Sequence, residues 1–334
     1  PLLPSAGHAL SYGVLIGGVL QFLFLYRAVL NFYRPRLRIP VLNEKLKKFF
    51  TLFLPGLVGS GVIQLNIVVG TIIASFLPVG AISHIYYADR LNQLPLAIFG
   101  IALGIVLLPS LSKAIKRANQ ETIDNIQNRS LEFSLLISLP SAIGLFILAE
   151  PIIYILFERG AFLQEDTFYT AKVLGYFALG LPAYIIIKVL VACFFAREDT
   201  KTPLYISIVS VVSNILLSLL LIESMREMGI ALATAISAWI NALLLYVMLF
   251  IRNNLKFDNL LISNALKIFT SSVALIFVIY GLKTLILKDF ATNSLTANSL
   301  SLLMMIFLAI IIYLGLVIVL KVLTINQLRQ YLKK

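Results

Sequence analysis

The side chains best placed to bind a charged ligand lie in one short stretch of the chain. Helical spacing places Ser83, Tyr87 and Arg90 on one face and Asp89 with Gln93 on a neighbouring face. Asp89 and Arg90 are consecutive, so in a helix they point about 100° apart and do not simply neutralise each other. This polar wedge fits either an interhelical polar clamp or the lining of a substrate cavity, and we favour the cavity.

The sequence carries no recognisable catalytic or metal-binding motif. Cys193 is the single cysteine, and His8 and His84 are far apart. There is no Cys/His/Asp/Glu spacing typical of a metal site, no Walker motif and no Ser-His-Asp arrangement. We therefore predict that the protein is not an enzyme, that it needs no cofactor and that this chain alone does not drive transport with ATP.

Composition places these residues in a membrane. Of the 334 residues, 60% are hydrophobic and 13% are charged, whereas soluble proteins average about 45–50% and about 25%. Apolar runs of around 20 residues recur along the chain, as repeated crossing of about 30 Å of hydrocarbon requires. The net charge of +12 comes from basic residues clustered in alternate loops, not in one stripe, so nucleic acid is not a predicted partner. The predicted class is an all-α polytopic membrane protein.

The hydrophobic pattern predicts about nine transmembrane helices. They span Ala9 to Phe32, Phe49 to Leu77, Gly80 to Leu111, Leu131 to Leu148, Phe168 to Phe195, Leu204 to Ile222, Gly229 to Phe250, Ala265 to Leu287 and Leu300 to Leu323. The segment Glu150 to Phe157 is too short to cross and is predicted to form a brief interfacial helix. Pro95 is expected to kink or open the third span just after the polar wedge.

The basic residues predict the orientation of the chain. Loops on the C-terminal side of the membrane carry 18 Lys and Arg residues, and the opposite loops carry only Arg159, Arg226 and Lys288. Since Lys and Arg favour cytoplasmic loops, the C-terminus is predicted to be cytoplasmic. The N-terminal end is then outside, and the chain is expected to be part of something longer.

A few further polar residues lie within the spans. Lys188 is deep in the fifth span, whereas Lys172, Lys267 and Lys283 lie near span ends, where they can reach the interface. The oxygens of Asn214 and Thr234, with Ser218, are weak candidates for a small cation site. Ordinary interhelical hydrogen bonding is the favoured interpretation for them.

Several ordered stretches together resemble the MurJ (MviN) family of lipid II flippases, in the multidrug/oligosaccharidyl-lipid/polysaccharide (MOP) exporter superfamily. These are the run from Ile82 to Pro95 continuing to Ser112, Pro55–Gly56 with Gln64 and Asn66, Phe157 to Phe162, and Lys188 to Leu190 leading to Phe194 to Pro203. The resemblance covers essentially the whole chain.

The resemblance implies an architecture of fourteen spans in two six-helix lobes followed by two extra helices, of which this chain resembles the sixth span onward. Residues 1–48 would then hold the last helix of the first lobe and a basic cytoplasmic loop. Residues 49–256 would form the second lobe, similar to that of the MATE exporters. Residues 257–334 would form the extra helix pair, with a groove for a polyprenyl tail, and a basic cytoplasmic tail.

The resemblance also implies roles for particular residues. Arg90 would contribute to a cationic cavity for the pyrophosphate of lipid II, since a guanidinium binds phosphate oxygens bidentately and stays charged. Asp89 would orient neighbours, Gln93 occupies a position that can carry an acid, and Lys188 would be a second cavity cation. Ser83 and Tyr87 complete the predicted substrate-binding set.

The chain departs from some relatives at a sodium site. Gly70 stands where those relatives carry an acid, and Ser218 replaces a possible second acid, although Asn214 and Thr234 match the pattern. The resemblance therefore predicts no particular coupling ion, and another ion and the membrane potential are the alternatives to sodium.

The resulting prediction is a lipid II flippase of the bacterial cytoplasmic membrane, working by alternating access in contact with membrane lipids. A multidrug or other polyprenyl-linked oligosaccharide exporter is the first alternative, but a drug exporter would favour an acidic cavity for cationic substrates. A membrane glycosyltransferase is the second, and it would need an acid or metal constellation at a membrane face.

Overall fold

The computed structural model describes residues 6–33, 43–286 and 294–322, and every regular element in these ranges is an α-helix. The ten helices are α1 Ala6–Leu30, α2 Glu44–Ser75, α3 Ala81–Lys116, α4 Gln120–Ile147, α5 Ala149–Phe157, α6 Gln164–Phe195, α7 Lys201–Met225, α8 Glu227–Ile251, α9 Asn259–Ile286 and α10 Leu295–Val319.

Eight of these helices are long and apolar enough to cross a membrane, namely all except α3 and α5. The short α5 confirms the brief helix predicted at Glu150 to Phe157. Helix α3 has 36 residues but is not among the eight, so the count of nine spans stays a prediction. Basic residues of segments 34–42, 287–293 and 323–334, used to predict the orientation, lie outside the described residues.

The start of α4 corrects the predicted boundary at Leu131. Asn119 accepts a hydrogen bond from the backbone N–H of Thr122 at 2.9 Å and so caps a helix that begins at Gln120. The polar stretch predicted as loop is therefore helical. Helix α3 continues through Pro95 to Lys116, so this proline does not end it.

The chain divides into two compact units, Pro1–Phe49 and Phe50–Lys334. The first contains α1, whose described side chains are largely exposed. In the second unit, α6 is the central helix and packs against α3, α4 and α8. Its fully buried Leu181, Ile185 and Phe194 belong to the largest apolar cluster.

Helices α6 and α8 pack closely against each other at a glycine. A Cβ atom on Gly180 would lie 2.9 Å from the Cα atom of Ala235 and 2.7 Å from the hydroxyl of Tyr184. A real Cβ atom does not fit at such distances, so the absence of a side chain at Gly180 permits this packing.

Helix α9 packs mainly on α4, and α10 packs on α9 and α5. Ionic contacts join α4 to the start of α9. One guanidinium nitrogen of Arg129, in α4, lies 2.8 and 2.7 Å from the two carboxylate oxygens of Asp258, which directly precedes α9. Arg129 also forms an ion pair with Glu132 of α4. Glu132 in turn accepts a hydrogen bond from Asn264 at 2.7 Å. The hydroxyl of Tyr313 donates to the carbonyl of Leu136 at 2.8 Å. These contacts make α4 the support for the C-terminal helix pair.

The turn between α6 and α7 is held by Asp199. Its carboxylate accepts hydrogen bonds from the backbone N–H of Thr202 at 3.0 Å and from its hydroxyl at 2.6 Å, and lies 2.6 Å from a guanidinium nitrogen of Arg252. Burial opposes ionisation of Asp199, but the hydrogen bonds and the nearby guanidinium outweigh it, so the pKa of this carboxyl is below its ordinary 3.8. Asp199 therefore ties α7 to the end of α8 as a carboxylate.

Candidate functional site

The polar wedge forms the first half of α3 and its side chains diverge there. Asp89 accepts a hydrogen bond from Gln93, one turn further along the helix. Arg90 donates to the hydroxyl of Tyr86 at 3.0 Å, and its guanidinium carbon lies 4.6 Å from the centre of that ring. The acid and the guanidinium thus have different partners on the same helix.

Asp89 and Gln93 face a cavity of about 420 Å³ between α3, α6 and α8. Lys188 and Tyr184 line it from α6, and Thr234 lines it from α8. The cavity therefore brings together three of the six predicted substrate-binding residues, including the lysine that sequence analysis placed deep in a span.

A second cavity of about 570 Å³ extends toward α2 and α7. It is mostly apolar but has a polar strip at Asn66, Ser210 and Asn241. Four residues line both cavities, namely Leu96, Tyr184, Lys188 and Thr234. Lys188 is thus the cationic side chain shared by the two spaces.

The other three predicted residues do not line either of these cavities. Arg90 and Ser83 are exposed. The ring of Tyr87 packs 4.7 Å from that of Phe157 and 5.6 Å from that of Phe162. Tyr87 therefore attaches α3 to α5 and to the loop that follows it.

The weak sodium candidates are engaged in protein hydrogen bonds. The amide nitrogen of Asn214 donates to Asn66 at 3.0 Å, and its oxygen accepts from Ser218 at 3.2 Å. The hydroxyl of Thr234 donates to the carbonyl of Ile230 at 2.8 Å. Within residues 6–33, 43–286 and 294–322, no three or more His, Cys, Asp or Glu side chains are grouped so that they could hold a metal ion.

Sequence analysis missed a buried ionic cluster at the start of α3. The imidazole of His84 lies between Asp166 of α6 and Glu227 of α8, with one ring nitrogen near each carboxylate. No local pattern predicts this cluster, because Asp166 follows His84 by 82 positions and Glu227 follows it by 143. The only sequence feature that could have indicated it is the presence of an ionisable residue, His84, in the same polar stretch as Asp89 and Arg90.

The eight helices of membrane-crossing length and the cavity with a charged lining in the second unit define a multi-pass helical membrane protein. A family model described as lipid II flippase MurJ matches residues 2–324. The chain belongs to this family.

Similar proteins agree with this assignment. A probable lipid II flippase MurJ of Rhizobium meliloti is 43% identical over 246 residues, covering 73% of this chain and 46% of that protein. One of Bdellovibrio bacteriovorus is 34% identical over 325 residues, covering 97% and 61%. The chain thus spans about half the length of the first curated relatives it matches.

Solved structures give the same fold. A lipid II flippase MurJ in an inward closed conformation has a TM-score of 0.71 at 31% identity and covers 92% of this chain and 60% of that one. A MATE transporter in a bent conformation has a TM-score of 0.55 at 14% identity, covering 84% of this chain and 71% of that one, and shows the fold alone.

Proposed function

We propose that this chain works in a lipid II flippase, which moves the lipid-linked peptidoglycan precursor from the inner to the outer leaflet of the bacterial cytoplasmic membrane by alternating access. The observation that carries the proposal is the family match over residues 2–324. It is supported by a cavity inside the helix bundle with an amine, an amide and a carboxylate on its walls. Transport of this kind needs no cofactor and no catalytic group.

Lys188 and Arg90 are the cations that we assign to the substrate pyrophosphate. Lys188 lines both cavities, so its ammonium reaches a ligand in either one. Arg90 is exposed beside Tyr86, and its guanidinium has nitrogens free to bind phosphate oxygens in pairs. Asp89 and Gln93 share a hydrogen bond and orient each other at the cavity wall, and Ser83 and Tyr87 complete the set near the start of α3.

The remaining parts of the chain follow from the same proposal. We assign residues 1–48 to the end of a first lobe, 49–256 to a second lobe and 257–334 to an additional helix pair that contacts membrane lipids and the polyprenyl tail. The C-terminus lies in the cytoplasm, because the loops on its side of the membrane hold most of the Lys and Arg. The coupling ion is left open, since Asn214 already has two side-chain partners.

The test is complementation of a flippase-depleted strain with the protein expressed from its complete gene. Arg90→Ala and Lys188→Ala should each abolish growth at normal membrane abundance, because each removes a charge that binds the pyrophosphate. Arg90→Lys should restore only part of the growth, because lysine keeps the charge but loses the planar fork.

Lys172→Ala is the matched control, because Lys172 lies on the same helix α6 as Lys188 but lines neither cavity and has its ammonium over the Phe168 ring. It should grow like the unmodified protein. Full growth of both Arg90→Ala and Lys188→Ala would refute the binding assignment, and growth lost in step with protein abundance would make the two residues structural.

A further inference from the structure

The cluster around His84 joins three helices at one imidazole ring. Its Nδ1 lies 3.1 Å from a carboxylate oxygen of Glu227, and its Nε2 lies 2.9 Å from a carboxylate oxygen of Asp166. His84 is 4% exposed and Glu227 is 0% exposed. Helices α3, α6 and α8 are thus tied together near their N-terminal ends by three ionisable groups, of which His84 and Glu227 are buried and Asp166 is partly exposed.

The two contacts can both be hydrogen bonds in only one state of protonation of this cluster. A neutral imidazole has one N–H donor and one acceptor nitrogen, and an ionised carboxylate only accepts. Both ring nitrogens can make hydrogen bonds to carboxylates only if the cluster holds one proton more than a neutral histidine with two ionised acids. The extra proton belongs to the three groups together, whether it lies on the ring or on an oxygen.

Neighbouring side chains and backbone restrict the position of the His84 ring. A guanidinium nitrogen of Arg226 lies 3.4 Å from the second carboxylate oxygen of Glu227. Arg226 also donates a hydrogen bond to the hydroxyl of Tyr169 at 3.0 Å, and its guanidinium carbon lies 4.6 Å from the centre of the Tyr169 ring. The Tyr169 ring stacks on His84 at 5.7 Å. On the other side, a Cβ at Gly80 would lie 3.3 Å from the imidazole, and Gly80 has a φ of +103° that favours glycine.

The other charged groups on or next to α3, α4, α6 and α8 do not face the His84 ring. Glu158, in the loop between α5 and α6, accepts a hydrogen bond from Thr167. Helix α4 also packs on α3, but its charged residues lie in its first half, at the end away from its junction with α5. Glu165 and Glu223 are exposed. The groups that face the imidazole are therefore Asp166 and Tyr169 from α6 and Glu227, with Arg226 behind it, from the start of α8.

His84 lies on the same helix as the cavity-lining Asp89, little more than one turn before it. Asp89 follows His84 by five residues, which is about 7.5 Å along a helix. Between and just beyond them, Ala88 and Leu91 are buried against Leu174 and Ala231 of α6 and α8. His84 and the cavity-lining Asp89 therefore lie on one continuous helix whose intervening turn packs on both α6 and α8.

We infer that His84 is a positioning residue, which binds a proton between Asp166 and Glu227 and thereby fixes the N-terminal end of α3 and the placement of Asp89, Arg90 and Gln93. The proton site stands on the geometry alone, whereas its effect on transport rests on the proposed function. With the proton bound, α3, α6 and α8 are held together. Without it, two carboxylates face a neutral ring, and one of the two hydrogen bonds is lost.

The proton site is tested by the melting temperature of the purified protein in detergent between about pH 5 and pH 9, which includes the range of about pH 5 to 8 in which an ordinary histidine titrates. The unmodified protein should lose stability as the pH rises through one transition, because the extra proton supports the native contacts. His84→Gln should lack this transition. Asp166→Asn should move its midpoint to lower pH, because it removes one negative charge next to the imidazole.

The matched control is Glu165→Gln, which neutralises the exposed acid next to Asp166 and should follow the unmodified protein. If His84→Gln fails to fold, Glu227→Gln provides the second test, with the same downward shift of the midpoint. The same pH dependence with and without His84, or a midpoint unmoved by Asp166→Asn, would overturn the proton site.

The positioning role is tested by growth of the depleted strain at controlled external pH, with membrane abundance measured in parallel. Asp166→Asn should narrow the pH range of growth at its alkaline end at normal abundance, and Glu165→Gln should not. A shifted melting transition with an unchanged growth range would overturn the positioning role. Absence of growth with the unmodified protein at every pH would refute the proposed function, and the melting experiment would still decide on the proton site.

Discussion

Gly180→Ala should destabilise the protein, although alanine is the better helix former. The substitution gains up to about 1 kcal/mol of helix propensity. The new methyl would lie 2.9 Å from the Cα atom of Ala235, which belongs to the backbone of α8 and has no side-chain torsion with which to yield. Overpacking of this kind costs about 1–3 kcal/mol, and the gain in helix propensity offsets about 0.5–1 kcal/mol of it, so we expect a net loss of up to about 2.5 kcal/mol.

The substitution also affects the cavity. The methyl would lie 2.7 Å from the hydroxyl of Tyr184, whose ring lines both cavities beside Lys188. Any rotation of this ring to relieve the clash changes the shape of the space next to the ammonium. Gly180→Ala should therefore reduce growth in the complementation assay more than its abundance.

Gly175→Ala is the matched control on the same helix. Its methyl would lie 3.6 Å from the Phe146 ring, which is an ordinary contact, so this variant should be as stable as the unmodified protein or more so. The measurement is thermal unfolding of both variants in one detergent, where 1 kcal/mol corresponds to about 2–4 °C for domains of 150–250 residues. Equal melting temperatures for the two variants would refute the argument from the α6–α8 approach.

Three further predictions address orientation, pH dependence and the C-terminal helix pair. A cysteine at Gln164 should react with an impermeant thiol reagent from outside the cell and one at Asn119 should not, and the opposite labelling would reverse the topology. Asp199→Asn should lower the melting temperature at pH 7. The difference should shrink once the pH falls below the ordinary pKa of 3.8 and vanish only below the lowered pKa that Asp199 has in the folded protein, because the contribution of the carboxylate is lost on its protonation; a difference that persists in stronger acid would show that the charge is not its cause. In a double-mutant cycle with alanine at Arg129 and Asp258, the two effects on stability should be non-additive by at least about 0.5 kcal/mol, and simple additivity would contradict the pairing of α4 with α9.

The sequence was sufficient to predict most helices, because an apolar run of spanning length has few alternatives in a bilayer. The boundaries were less predictable: the helix starting at Gln120 contains polar residues that resemble a loop, and its start is set by the single cap at Asn119. Such a cap is visible in sequence only once the helix is assumed.

The site was predictable only where residues share one helix. Periodicity was enough to separate Asp89 and Gln93 from Arg90 on α3. It could not show that Lys188 of α6 joins the acid at one cavity, because that depends on how two distant segments pack. The same limit hid the contacts of His84, whose partners lie on α6 and α8.

The way in which α9 and α10 attach bears on how the protein is made. Helix α9 packs mainly on α4, and α10 packs on α9 and α5. The last two helices therefore pack onto helices that are synthesised before them. Membrane insertion can therefore proceed in chain order, with α6 already enclosed by α3, α4 and α8 when α9 emerges. Among the ion pairs of the described residues, the Arg129–Asp258 pair is then the one whose second partner is synthesised last.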